Sequence, residues 1–144
     1  MELRRKNNIL AFLVLFLSFT VSSQNIFGKW KTVDGQTGEE KSIVEIFEKN
    51  GKVFGKIVEI LNPKHKNALC EKCEGEEKNQ PVLGLELIKN MEEVGDYYKR
   101  GTIFDPEYGK KFRCRLLLTD DPNILQVRGY VAFLYATQYW IRIE

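Results

Sequence analysis

Asn50-Gly51 stands between two runs rich in β-branched and aromatic residues, residues 42–48 and 52–61. Both central residues of a type I′ turn need positive φ, which asparagine and glycine tolerate best, so this dipeptide in this setting predicts an antiparallel hairpin. The same punctuation recurs along the chain. Residues 26–33 stop at Asp34-Gly35, and residues 83–91 are broken by 92–95. Residues 96–104 lead into Asp105-Pro106-Glu107-Tyr108-Gly109, where proline presets φ at the second turn position and glycine takes the last. Residues 110–119 end at Asp120-Asp121-Pro122-Asn123, and 124–131 and 137–143 complete the series. That makes eight expected strands and no amphipathic helix of more than three turns. Six of the seven connections are short enough for sequential strands to pair, which favours an up-and-down meander. Closure into an antiparallel β-barrel removes the edges that such apolar strands would otherwise expose.

The first residues read differently. Arg4, Arg5 and Lys6 precede an unbroken apolar run over residues 9–17 that continues to Val21. The apolar stretch is about 13 residues long, short of the ~20 that a spanning helix needs, and it ends at Val21-Ser22-Ser23 with a small residue in last place. An uncleaved anchor is the alternative; the length favours a signal peptide over residues 1–23, cleaved after Ser23. A single domain over residues 24–144 would then be periplasmic or secreted, with no stable membrane span. The whole chain carries 22 basic and 20 acidic groups, a net of +2. Removing Arg4, Arg5, Lys6 and Glu2 leaves 19 of each. A neutral body has no overall field to attract nucleic acid or an anionic membrane, and an apolar fraction of 43% is ordinary for a globular domain.

Gly28-Lys29-Trp30 at the start, with Arg142 at the end, resembles the arrangement of lipocalins and calycins. That resemblance implies an indole plugging the base of the barrel and a guanidinium lying over its face, a cation–π contact. Four segments together resemble the exported bacterial family of domain of unknown function 2147: Gly28-Lys29-Trp30; residues 81–85; residues 101–110; and residues 127–130 followed by 138–142. The resemblance spans nearly all of the expected mature chain. It implies a lipocalin-like barrel of about eight strands and leaves the activity open. Two departures from lipocalins, a shorter body and no C-terminal helix, imply less room for a ligand cup.

An eight-stranded barrel has an interior just wide enough to be filled by side chains or to hold one small ligand. Fourteen aromatic residues lie beyond Ser23, and most are expected in the core. Some could line an apolar pocket with a few orienting polar groups; the candidates are Trp30, Phe54, Phe104, Arg128 and Tyr130. Arg128 shares a face with Gln126 and Tyr130, opposite Leu125, Val127 and Val131. Facing outward it is merely solvated; facing inward it needs an acidic partner, from the protein or from a ligand carboxylate.

Cys70 and Cys73 lie in the one long polar connection, residues 62–82. In an oxidising compartment their default state is a disulfide. His65, Cys70, Cys73 and Cys114 offer a weaker zinc alternative, and no helix signal follows Cys70 to lower its pKa for redox work. Cys114 alternates with Phe112 and Leu116 and reads most simply as a buried thiol. Asp105 and Glu107 form a carboxylate pair that the turn already explains. His65 has no nucleophile beside it, and no phosphate-binding glycine loop occurs, so catalysis and a cofactor are not expected. The leading expectation is an exported barrel that binds a small apolar or amphipathic molecule. The alternative is an envelope interaction module with a filled barrel, binding through its surface or through residues 62–82. A metal- or redox-active loop comes third.

Overall fold

The computed structural model describes residues 24–143; the expected signal peptide lies outside the described residues. Asn50 and Gly51 have φ of 53° and 75°, the handedness a type I′ turn demands, and Lys49 pairs with Lys52 across them. The turn joins β2 (Glu40–Lys49) to β3 (Lys52–Ile60). The other strands are β1 (Gly28–Val33), β4 (Glu86–Val94), β5 (Tyr97–Asp105), β6 (Lys110–Leu118), β7 (Ile124–Val131) and β8 (Leu134–Arg142). Each pairs antiparallel with its neighbours in sequence, and β1 pairs with β8 through Trp30↔Arg142 and Lys31↔Ile141. The barrel is closed.

Three boundaries depart from the sequence expectation by three residues, each for a physical reason. Leu83 and Leu85 do not open β4. Gly84 turns the chain there with a φ of 94°, and Leu85 is buried against Cys70 and Cys73 instead. Glu92 and Glu93 do not end β4, because cations meet the acidic stretch. Glu92 pairs across the ladder with Lys99 and lies 3.6 Å from Lys52 and 3.4 Å from Arg100. Finally, β8 begins at Leu134 rather than at 137. The link from β7 is a two-residue turn, Ala132-Phe133, with Val131 paired to Leu134.

Alternation decides what lies inside. Trp30, Val44, Ile46, Val53, Ile57, Ile88, Met91, Cys114, Leu116, Leu125, Val127 and Trp140 are buried together and fill the lumen. The long connection does not dangle. Cys70 and Cys73 are joined by a disulfide. With Leu85, Val82 and Phe104 they make a second small core on the outside of β5.

Cys114 is a free, buried thiol, and burial pushes its pKa up from 9.0 to about 12. An unfolded chain ionises this thiol near the ordinary value while the folded one does not. Its contribution to stability is therefore complete below pH 9 and is lost as pH rises toward 12. At mildly alkaline pH a thiol reagent is expected to find no reactive cysteine in the native protein and one after unfolding. A native protein that reacts at once would contradict this burial.

Candidate functional site

The base of the barrel is built from the first turn of chain. Gly28 has a φ of 121°, a conformation that favours glycine, and it turns residues 25–27 beneath the lumen. The Trp30 indole Nε1 donates to the Ile26 carbonyl at 2.8 Å. Arg142 lies over the Trp30 ring at 4.2 Å. Its Nη2, Nη1 and Nε donate to the carbonyls of Asn25, Phe27 and Pro122 at 2.6, 2.9 and 3.0 Å. Burial pulls the Arg142 pKa below its ordinary value, but a guanidinium stays charged at any physiological pH. One cation thus ties the N-terminal segment, the β6–β7 turn and β8 around one indole.

The five candidate ligand residues do not converge. Trp30 is 0% exposed and sits in the lumen. Phe54 faces outward: it stacks on Phe47 with centroids 6.1 Å apart, and the Lys49 ammonium covers it at 4.3 Å. Phe104 also faces outward, beneath the disulfide loop. Arg128 and Tyr130 lie on the outer face of β7, because Leu125 and Val127 take the inner one. Both tryptophans are spent on packing, Trp140 being 1% exposed with its indole N–H on Gln138 at 3.1 Å.

Open space is found at the base and beside the disulfide loop. A cavity of about 730 Å³ opens at the base, where Ile26, Tyr98 and Leu118 of the lumen packing meet Asn25, Glu93, Asp96, Asp120 and Tyr139. A crevice of about 190 Å³ separates the disulfide loop from β4 and β5, lined by Lys72, Cys73, Glu77, Lys89, Phe104 and Lys111 among others. Asp105 accepts the Glu107 amide at 2.9 Å, and Glu107 meets Lys41 at 3.1 Å. That carboxylate pair holds a turn. Among the described residues no three of His, Cys, Asp or Glu form a metal-binding group.

A different constellation stands on the outer face of β6–β8. Arg115 and Arg128 are directly opposed across the β6–β7 ladder, and Arg113 is opposite Tyr130. Each guanidinium lies on a tyrosine: Arg113 over Tyr130 at 5.8 Å, Arg115 over Tyr97 at 4.7 Å, Arg128 over Tyr135 at 4.5 Å. Their hydrogen bonds go to neutral groups: the Ala132 carbonyl for Arg113, the Gln126 side chain for Arg115 and the Thr137 hydroxyl for Arg128. The Arg115 Nε is buried without a partner. None of the three makes an ion pair with a carboxylate of the described residues, whereas on β1–β4 Lys31, Lys49, Lys52 and Lys56 all do. Like charges opposed on a ladder destabilise it, so this face carries an uncompensated positive field.

Sequence reasoning singled out Arg128 and missed Arg113, Arg115 and Tyr135. The signal was present. The segments of β6, β7 and β8 contain no aspartate or glutamate, a segregation that the zero net charge averages away.

Residues 28–142 match the family described as uncharacterized proteins conserved in bacteria, DUF2147. The chain belongs to that family. Its fold is similar to that of protein HP1028 from Helicobacter pylori, described as belonging to the lipocalin family. The TM-score is 0.72 at 21% identity, covering 83% of this chain and 84% of the other. A search of curated proteins gives no match. The DUF2147 chain is thus a lipocalin-like closed barrel, with Trp30 and Arg142 at its base.

Proposed function

We propose that this DUF2147 protein is an exported, non-enzymatic interaction module of the cell envelope. In this reading the barrel is a solid scaffold and recognition takes place on its outer surface. The packed lumen carries the proposal: two tryptophans and ten aliphatic or sulfur side chains occupy the space a lipocalin ligand would need. A small apolar ligand would have to displace well-packed side chains, which costs free energy that a few new contacts do not return. Export rests on the basic and apolar leader before Gln24.

The test is native mass spectrometry of protein taken from the envelope fraction of its own host. The expected species begins at Gln24 and carries no small molecule. A stoichiometric lipid or aromatic compound in the barrel would overturn the solid-scaffold reading in favour of ligand carriage. A chain retaining residues 1–23 in the cytosolic fraction would overturn export.

A further inference from the structure

The β7–β8 turn breaks a local rule that this same chain respects elsewhere. Where the β2–β3 hairpin uses Asn50-Gly51, this one uses Ala132-Phe133, and Ala132 has a φ of 52°. An L-residue with a Cβ is disfavoured there, and glycine or asparagine would relieve it. The turn also leaves Phe133 86% and Leu134 64% exposed, flanked by exposed Val131 and Tyr135. Features that cost stability without adding to packing point to use. Arg113 donates to the Ala132 carbonyl at 2.6 Å, so the unpaired arginine face reaches the apolar tip. Residues 24–96 carry 11 basic and 14 acidic groups; residues 97–143 carry 8 and 4. The neutrality of the body therefore hides two halves of opposite sign.

We propose that the outer face of β6–β8, with the Val131–Leu134 tip, docks on an anionic lipid bilayer. The three guanidiniums meet the headgroup phosphates, Phe133 and Leu134 enter the acyl boundary, and Tyr130 and Tyr135 lie at the interface between them. Arginine, tyrosine and a short apolar protrusion are the components an interfacial anchor combines. A second copy does not suit this face, because a two-fold dimer sets the same patch against itself, arginine facing arginine. A narrow two-residue protrusion suits a deformable lipid layer, whereas a protein partner would need a pocket shaped to it. The proposal rests on the outer-surface reading above and names its partner.

All eight strands lie within residues 24–143, so the chain beginning at Gln24 is the protein to test. Its co-sedimentation is measured with vesicles of phosphatidylcholine alone and with a third of the lipid replaced by phosphatidylglycerol. Partition onto the anionic vesicles is expected to be at least about tenfold stronger and to fall with salt. The variant R113Q/R115Q/R128Q is expected to lose about 100-fold, since each basic residue near such a surface contributes roughly fivefold. F133S/L134S is expected to lose about tenfold or more. K52Q/K56Q, on the opposite half of the barrel, is the charge control and is expected to bind like the parent. Near-UV circular dichroism from Trp30 and Trp140 confirms that each variant is folded. Equal partition onto neutral and anionic vesicles, or unchanged binding by both site variants, would overturn the proposal. So would an absence of vesicle binding together with arginine-dependent retention of polyglutamate, which would assign the face to an acidic protein. A ligand found in the barrel would remove the solid-scaffold reading yet leave this result intact; bare vesicles with an empty barrel would do the reverse.

Discussion

Replacing Trp30 with alanine is expected to remove about 3–5 kcal/mol of folding stability, out of the roughly 5–15 kcal/mol typical of a domain. Three losses coincide. The indole is wholly buried, so its removal leaves a cavity at the base of the lumen. The Ile26 carbonyl loses the indole N–H that it accepts, beside an Ile26 side chain that is itself buried. Arg142 loses the ring on which it stacks. Arg142→Ala is expected to cost about 2–4 kcal/mol, because three carbonyls lose charge-assisted hydrogen bonds together. Arg142→Lys keeps the charge but cannot reach three carbonyls with a planar fork, so it should recover only part of that loss. Urea unfolding followed by far-UV circular dichroism measures each value. A Trp30→Ala protein within about 1 kcal/mol of the parent would mean that the base is not where the barrel is held shut.

Gly101→Ala is expected to be the costliest addition of a single methyl group. On β4 and β5, Asn90 and Arg100 adopt φ of 59° and 66°, interrupting the ladder between Lys89↔Thr102 and Glu92↔Lys99. These irregularities bring the β4 backbone down onto Gly101. A Cβ there would collide with the Lys89 carbonyl oxygen, and would lie 2.5 Å from the Met91 Sδ and 2.8 Å from the Asn90 carbonyl carbon. Two of those three atoms are main chain in a paired strand, so they cannot swing aside. A loss of at least about 3 kcal/mol follows, equivalent to roughly 10–20 °C in Tm. Gly55→Ala is the comparator. Its Cβ would first meet side-chain atoms of Ile88 and Val44, at 3.2–3.3 Å, and these can shift by a few tenths of an ångström. Thermal melts in which the two alanine variants are equally stable would contradict the close β4–β5 approach.

Where the chain's chemistry is local, it was legible in the sequence. Asn50-Gly51 favours one kind of turn, and Cys70 and Cys73, three residues apart, need only a local turn to bridge. Residues 42–48 and 52–61 announce themselves by composition. Strand ends were less legible because they depend on partners: Glu92 stays in β4 through Lys52, Lys99 and Arg100, none adjacent in sequence. The face occupied by Arg128 was undecidable from alternation, since either side of β7 could have been inward. The ladder decides it by setting Leu125 against Trp140 in the lumen. Phe54 and Phe104 look like core residues and are shielded, but by Lys49 and by the disulfide loop, from outside. The arginine face is invisible in the net charge of the whole chain and emerges only over the strands that share a surface.

A barrel filled within is expected to act from without. Residue-resolved NMR of the chain from Gln24, titrated with bicelles containing phosphatidylglycerol, separates the two surfaces. Shifts are expected at Arg113, Arg128, Ala132, Phe133 and Leu134, with the Trp30 and Trp140 indoles unmoved. Shifts centred on those two indoles and on Leu125 and Val127, with the β7–β8 turn silent, would contradict that expectation.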